Sequence, residues 1–250
     1  MKKFLIAASV MATAVSPTAV FAGDLSVSTS IDYVTEYVFR GVSFARGAVQ
    51  PGVEVSSGGF YAGAWTSLAM GEVSSIAGDE IDFYGGYGFD LADGISGDVG
   101  ATIYHFPDVP GSVFDFGDAS TFEVYGGLSF DTTLAPSIYA YYDFDLEAFT
   151  LEGGVGHSLA FEDSPMSLDL GLTAGLVTAD GGGDYEYGQA SASLGYALSD
   201  NVSAYVGANY SLSSEDTLGF SRFTAPDGSP FAITDEDNLL WFGTGVSTSF

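Results

Sequence analysis

The sequence predicts an all-β protein, an antiparallel transmembrane β-barrel of about twelve strands, and three observations lead there. Apolar and polar residues alternate with a period of two from residue 23 onward, and no helical period is sustained. The composition is apolar and acidic at once: 46% hydrophobic residues and a mean hydropathy of +0.25 stand beside 33 Asp and Glu against 5 Lys and Arg, a net charge of -28. Glycine, at 34 residues, is about twice its usual share of roughly 7%, and 20 Phe with 15 Tyr supply β-favouring aromatics.

Several classes fall away at once. A disordered acidic chain would be poor in aromatics and aliphatics. Nucleic acid is excluded as a partner, because no basic surface exists to meet phosphates. With no cysteine, disulfides and Cys-ligated metal or iron–sulfur centres are excluded too.

The first segment is expected to lie outside the fold. Lys2 and Lys3 form a basic start, Phe4 to Val20 an apolar stretch, and Val20-Phe21-Ala22 a small-residue cleavage site. Residues 1–22 thus read as a secretory signal peptide, and 23–250 as the barrel domain. A membrane anchor fits less well, since the stretch is short and broken by Ser16 and Pro17. Cleavage leaves only Arg40, Arg46 and Arg222 as cations.

Candidate strands run over 25–40, 48–55, 60–69, 80–91, 95–106, 120–130, 136–145, 149–161, 167–178, 185–198, 202–212 and 238–250. The count is even, as single-chain bacterial barrels require. Tight turns such as Ala92-Asp93-Gly94 and Ser199-Asp200-Asn201 alternate with longer connections over 41–47, 70–79, 107–119 and 213–237, although 146–148 and 179–184 are short. That asymmetry predicts both termini and the tight turns on the periplasmic side. Pro51 inside the second strand removes a ladder donor, so a bulge or irregularity is expected there.

Charge sorts by face. Ile81, Phe83, Tyr87, Phe89 and Leu91 share one side of a strand, as do Leu168, Leu170, Leu172 and Leu176 of another, with no acid among them. The opposite faces carry Asp32, Glu36, Glu54, Asp82, Asp98, Glu123, Asp143, Glu152 and Asp169, and Arg40 at the end of the first strand. These ten residues are the expected pore lining. A soluble β-sandwich alternates as well, but strand length, the even count and aromatics at strand ends favour the membrane barrel. Tyr37, Phe39, Phe89, Phe130, Tyr142 and Phe144 are the expected girdle positions. His157 falls on the apolar face of its strand, which puts the register there in question.

Residues 33–67 add a resemblance. Tyr33-Val34-Thr35-Glu36-Tyr37-Val38-Phe39-Arg40-Gly41, then Pro51-Gly52-Val53-Glu54, then Gly59-Phe60-Tyr61-Ala62-Gly63-Ala64-Trp65-Thr66-Ser67, resemble the amino-terminal block of the TorF porin family. The resemblance implies a Gram-negative outer-membrane protein and names no substrate. Phe250, ending an alternating strand, resembles the signal by which barrel-assembly machinery recognises its clients.

Catalytic chemistry finds little support. A nucleophilic hydrolase needs a hydroxyl within reach of a base. The histidines, His105 and His157, have same-face neighbours Ile103 and Pro107, and Val155 and Leu159, so a hydroxyl partner would have to come from another strand. Asp180 to Asp184 and Asp235-Glu236-Asp237 lack EF-hand spacing, and no metal, cofactor or catalytic residue is expected. The reading is a non-enzymatic channel for passive diffusion of small hydrophilic solutes, cation-preferring, surrounded by outer-membrane lipid. The inward tyrosines Tyr84, Tyr104, Tyr125, Tyr139, Tyr141 and Tyr205 predict a narrow pore. A closed barrel with a structural or ligand-binding role in its outer loops is the alternative, a barrel hydrolase a more distant one, and a homo-oligomer is compatible with either of the first two.

Overall fold

The structure, a computed structural model, describes residues 25–73, 78–180, 182–224 and 230–250, the side chains of Pro230 and Phe231 excepted. The expected signal peptide therefore lies outside the described residues, as do Gly181 and part of the 213–237 connection.

The described residues form β1 (Ser26–Val34), β2 (Tyr37–Phe39), β3 (Val42–Ala45), β4 (Ala48–Ser57), β5 (Phe60–Ala69), β6 (Glu80–Ala92), β7 (Ile95–His105) and β8 (Ser120–Phe130). They continue as β9 (Ser137–Asp143), β10 (Ala148–Ala160), β11 (Met166–Ala179), β12 (Tyr185–Ala197), β13 (Val202–Ser213), β14 (Ser221–Thr224), β15 (Pro230–Ile233) and β16 (Asn238–Ser249). Twelve of these close an antiparallel barrel in the order β1-β16-β13-β12-β11-β10-β9-β8-β7-β6-β5-β4. Val27 N donates to Phe250 O at 3.0 Å and Phe250 N returns the bond at 2.9 Å, joining the start of β1 to the residue after β16 at one rim. That rim, with the tight turns, is the terminal end; the longer connections form the loop end.

The barrel is built inside out relative to a soluble protein. Leu172, Val206 and Leu240 point outward and are 57–58% exposed, while Gln50, Asp98, Glu123 and Glu152 are buried within. Aromatic residues gather near both rims of the outer face: Phe60, Tyr87 and Phe89 at the terminal end, Phe122, Tyr142 and Phe144 at the loop end. Glu186, at the loop end of β12, is the acidic exception on the outward register among the described residues.

The glycine surplus has a steric cause at the inner wall. A Cβ on Gly63 would collide with the Tyr84 ring, on Gly86 with Tyr61, on Gly100 with Tyr125, on Gly127 with Tyr139 and on Gly175 with Tyr187. Each inward tyrosine thus lies flat over a neighbouring strand, and only glycine leaves room for it.

The first expected strand, 25–40, is corrected. Its barrel part stops at Val34, and 35–47 folds inward around the two-stranded β2–β3 hairpin. Arg40 (φ 47°) and Gly41 (φ 75°) make a two-residue turn with both residues left-handed, and Phe39 pairs with Val42 across it. Arg40 therefore does not end a barrel strand, and Tyr37 and Phe39 are not girdle residues. Tyr37 is buried against Trp65 and Phe44, because Val34, Val38, Ala45, Leu218 and Trp241 form an apolar cluster that receives both faces of the hairpin. Gly47 (φ 72°) then returns the chain to the wall, its N–H bonded to Thr35 O at 3.0 Å.

Two local expectations resolve differently. The irregularity expected around Pro51 is present as an interrupted ladder rather than a bulge: β4 pairs with β1 throughout, while its pairing with β5 skips Gln50 and Pro51 without a register shift. At His157 the register is regular, opposite Leu170, and its Nδ1 lies 2.8 Å from Thr133 O of the neighbouring turn.

Candidate functional site

The barrel interior is the candidate site, and tyrosine–carboxylate pairs build part of its wall. Tyr61 OH donates to both oxygens of Asp98, at 3.0 and 3.1 Å, and lies 2.6 Å from Tyr125 OH. Tyr84 OH donates to Glu54 at 3.2 Å, and Tyr187 OH to Glu152 at 2.6 Å. Asp32 packs over Gly245 beside Tyr205, and Asp82 sits between Trp65 and Tyr104 of the adjacent strands. Burying a carboxylate is costly unless hydrogen bonds replace its water, and at Asp98, Glu54 and Glu152 the phenols supply these without adding positive charge.

Glu123 is treated differently. It accepts a two-pronged contact from Arg40, at 2.6 and 3.0 Å, and a third bond from Tyr104 OH at 2.9 Å. The guanidinium also lies 4.0 Å from the Tyr141 ring centre and 4.7 Å from that of Phe39. The hairpin is rooted between β1 and β4, yet its tip meets β7, β8 and β9, and Gly41 abuts Tyr187 of β12. It crosses the lumen.

Two expected lining residues do other work. Asp143 uses Oδ1 to accept from the amides of Asp145 and Leu146, at 2.9 and 2.8 Å, which caps the β9–β10 turn. Glu36 belongs to the inward segment and is buried beside Arg46, 3.9 Å away. Burial pushes its carboxyl up to about 7, against the opposing pulls of the Ser43 hydrogen bond and the Arg46 charge. Asp169 lies on β11, where Ser167 Oγ donates to it at 2.9 Å.

The outer connection grips the hairpin. Ser43 N donates to Thr217 O at 2.9 Å, Thr217 Oγ1 to Gly41 O at 2.6 Å and Gly219 N to Ser43 Oγ at 3.1 Å. Arg46 donates to Phe220 O at 2.6 Å, and Arg222 pairs with Glu72. All three arginines are thus used at or near the loop end. Sequence reasoning missed Thr217 and Tyr187, whose partners become visible only through contacts between distant strands.

The histidine without a local hydroxyl acquires one across strands: His105 Nδ1 is 2.9 Å from Ser120 Oγ. Ser120 is 0% exposed, so its hydroxyl is not presented to a substrate. The pair ties the ends of the 106–119 connection together.

These features define a twelve-stranded barrel with the architecture of outer-membrane porins. The chain belongs to the Gcw_chp family, described as bacterial proteins of unknown function, whose model matches residues 18–150. No curated protein matches it in sequence. Among solved structures it is similar to the KdgM porin in complex with disordered oligogalacturonate, with a TM-score of 0.56 at 12% identity over 90% of this chain and 99% of that one. The KdgM porin alone gives 0.55 at 11% identity, with the same coverage. An outer-membrane channel from Pseudomonas putida F1 gives 0.49 at 11% identity, covering 95% of this chain and 100% of that one.

Proposed function

We propose that this chain is an outer-membrane channel of a Gram-negative bacterium that passes small hydrophilic solutes by diffusion and favours cations. The sorting of charge carries the reading: an apolar belt faces out, while carboxylates face in, with Arg40 pairing one of them. A belt of this extent on a soluble monomer would be an aggregation liability, and in a bilayer it is the lipid contact. The interior carboxylates hold a negative potential in a low-dielectric wall, which concentrates cations and repels anions. In this reading the signal peptide is removed, the termini lie in the periplasm, Phe250 is presented to barrel-assembly machinery, and the likeness to TorF porins reflects a shared role.

Oligogalacturonate, held by the KdgM porin, is a polyanion. A wall of carboxylates with one paired arginine disfavours that kind of solute here, so neutral or cationic solutes are expected. Purified, refolded protein in planar bilayers should show discrete conductance steps and a reversal potential of cation-selective sign. High salt should erase that preference through screening. Anion selectivity would sink the proposal. A second reading, a closed barrel acting through its loops, draws on the hairpin that crosses the lumen; a well-folded but silent protein would favour it.

A further inference from the structure

We infer that the β2–β3 hairpin is the selectivity filter of this channel, with Arg40 and Glu123 as its specificity-determining pair, an inference that rests on the channel reading above. The hairpin leaves the wall between β1 and β4, and its tip reaches β8 and β9, on the far side of the ring. Any solute moving along the barrel axis passes this crossing. The hairpin is held along its tip half, by Thr217 at Gly41 and Ser43, by Gly219 at Ser43 and by Glu123 at Arg40, so its place across the lumen is fixed. A narrow passage between fixed charges is what makes a lumen selective.

The choice of residue at the tip separates this role from mere turn formation. Two successive left-handed positions are served best by Asn-Gly or Gly-Gly. Arg40 occupies the first of them at φ 47°, a strained conformation for a long side chain. Its Nε is buried with no hydrogen-bond partner. The turn gains nothing from a guanidinium that an asparagine would not supply. What the guanidinium adds is positive charge where the hairpin crosses the lumen, against a wall where Glu54, Asp98 and Glu152 accept from phenols. Arg40, its side chain 10% exposed against 4% for Glu123, thus acts through its charge to moderate the cation preference that the carboxylates create, and without it Glu123 would be an uncompensated buried charge beside the passage.

The test compares wild type, Arg40→Ala, Arg40→Lys and Glu123→Gln in planar bilayers under a potassium chloride gradient, with heat-modifiable electrophoretic mobility reporting folding. Arg40→Ala should raise the cation-over-anion permeability ratio several-fold and enlarge the unit conductance. Glu123→Gln should move the ratio the opposite way, and Arg40→Lys should stay near wild type. A merely structural pair would give no opposed shifts. Should Glu123→Gln fail to fold, Arg40→Ala against Arg40→Lys still decides. A conducting wild type with the same ratio in every folded variant overturns the filter and leaves the channel standing. Silence in all folded variants overturns both. A silent wild type beside a conducting Arg40→Ala overturns the filter and makes the hairpin a plug that closes the barrel.

Discussion

The inner wall has two unlike halves. From β4 to β9 it carries tyrosines over glycines, carboxylates bonded to them, and the hairpin tip braced on Glu123. From β10 to β12, on the terminal side of the Glu152–Tyr187 pair, it carries Gly154, Gly156, Ser158, Ser167, Gly171, Ser191 and Ser193, small or hydroxylated and at least partly exposed, with Asp169 among them. The two halves share one fold and one register rule, so the difference lies in side-chain volume alone. Large rings turn the first half into packed wall; small hydroxyls leave the second lined for water.

That contrast can be broken by substitution. Glu123→Ala strands the buried Arg40 guanidinium and should cost about 3–5 kcal/mol of folding stability in detergent, whereas Asp169→Ala on the small-residue wall should cost less than about 1 kcal/mol. Urea or guanidinium titration of refolding measures both, and equal losses would erase the distinction. Gly86→Val drives a side chain into Tyr61 and the Val99 carbonyl, an overpacking worth about 1–3 kcal/mol. Gly156→Val meets nothing closer than Leu170 O, 3.6 Å from the added Cβ, and should be nearly neutral in the same titration.

A subtler effect follows from Glu36. Its carboxyl is raised to about 7 in the seated hairpin by burial, with Ser43 and Arg46 opposing and Glu72 and Glu236 reinforcing the rise. A raised carboxyl favours the neutral form, so seating is strongest below the ordinary glutamate range, about 4.3. It weakens as pH rises through about 7. Amide exchange at Ser43 and Arg46, corrected for intrinsic base catalysis, should therefore show less protection at about pH 8 than at about pH 5, and Glu36→Gln should flatten that slope. A slope of the opposite sign would refute the assignment. Smallest of all is Arg222→Ala: the arginine is 77% exposed where it meets Glu72, and such pairs contribute little. Neither stability nor conductance should change measurably.

The barrel wall was legible in the sequence because its two faces meet opposite media, and a period of two records that at every strand. All twelve expected barrel strands are present, with boundaries within a few residues apart from the first. The first run misled because Thr35, Tyr37 and Phe39 continue the face of Leu25, Val27, Thr29, Ile31 and Tyr33, so the period of two reads on through a segment that has left the wall. Two signals marked the break. The run was about 16 residues where the barrel strands are 7 to 14, and Arg40-Gly41 stood between Phe39 and Val42 as an X-Gly hairpin turn does. The tyrosine–carboxylate pairing was out of reach, because it depends on which strands adjoin and in what register. His105 shows the same gap: its hydroxyl partner is close in space and 15 residues away in sequence.

The most direct measurement uses the absence of native cysteine. Single cysteines at Ser193, on the small-residue wall, and at Thr102, on the tyrosine wall, would be exposed to a water-soluble, positively charged thiol reagent during bilayer recording. Ser193→Cys should be modified rapidly with a stepwise fall in current, and Thr102→Cys should be unreactive or slow. Reaction at Thr102→Cys with none at Ser193→Cys would contradict this.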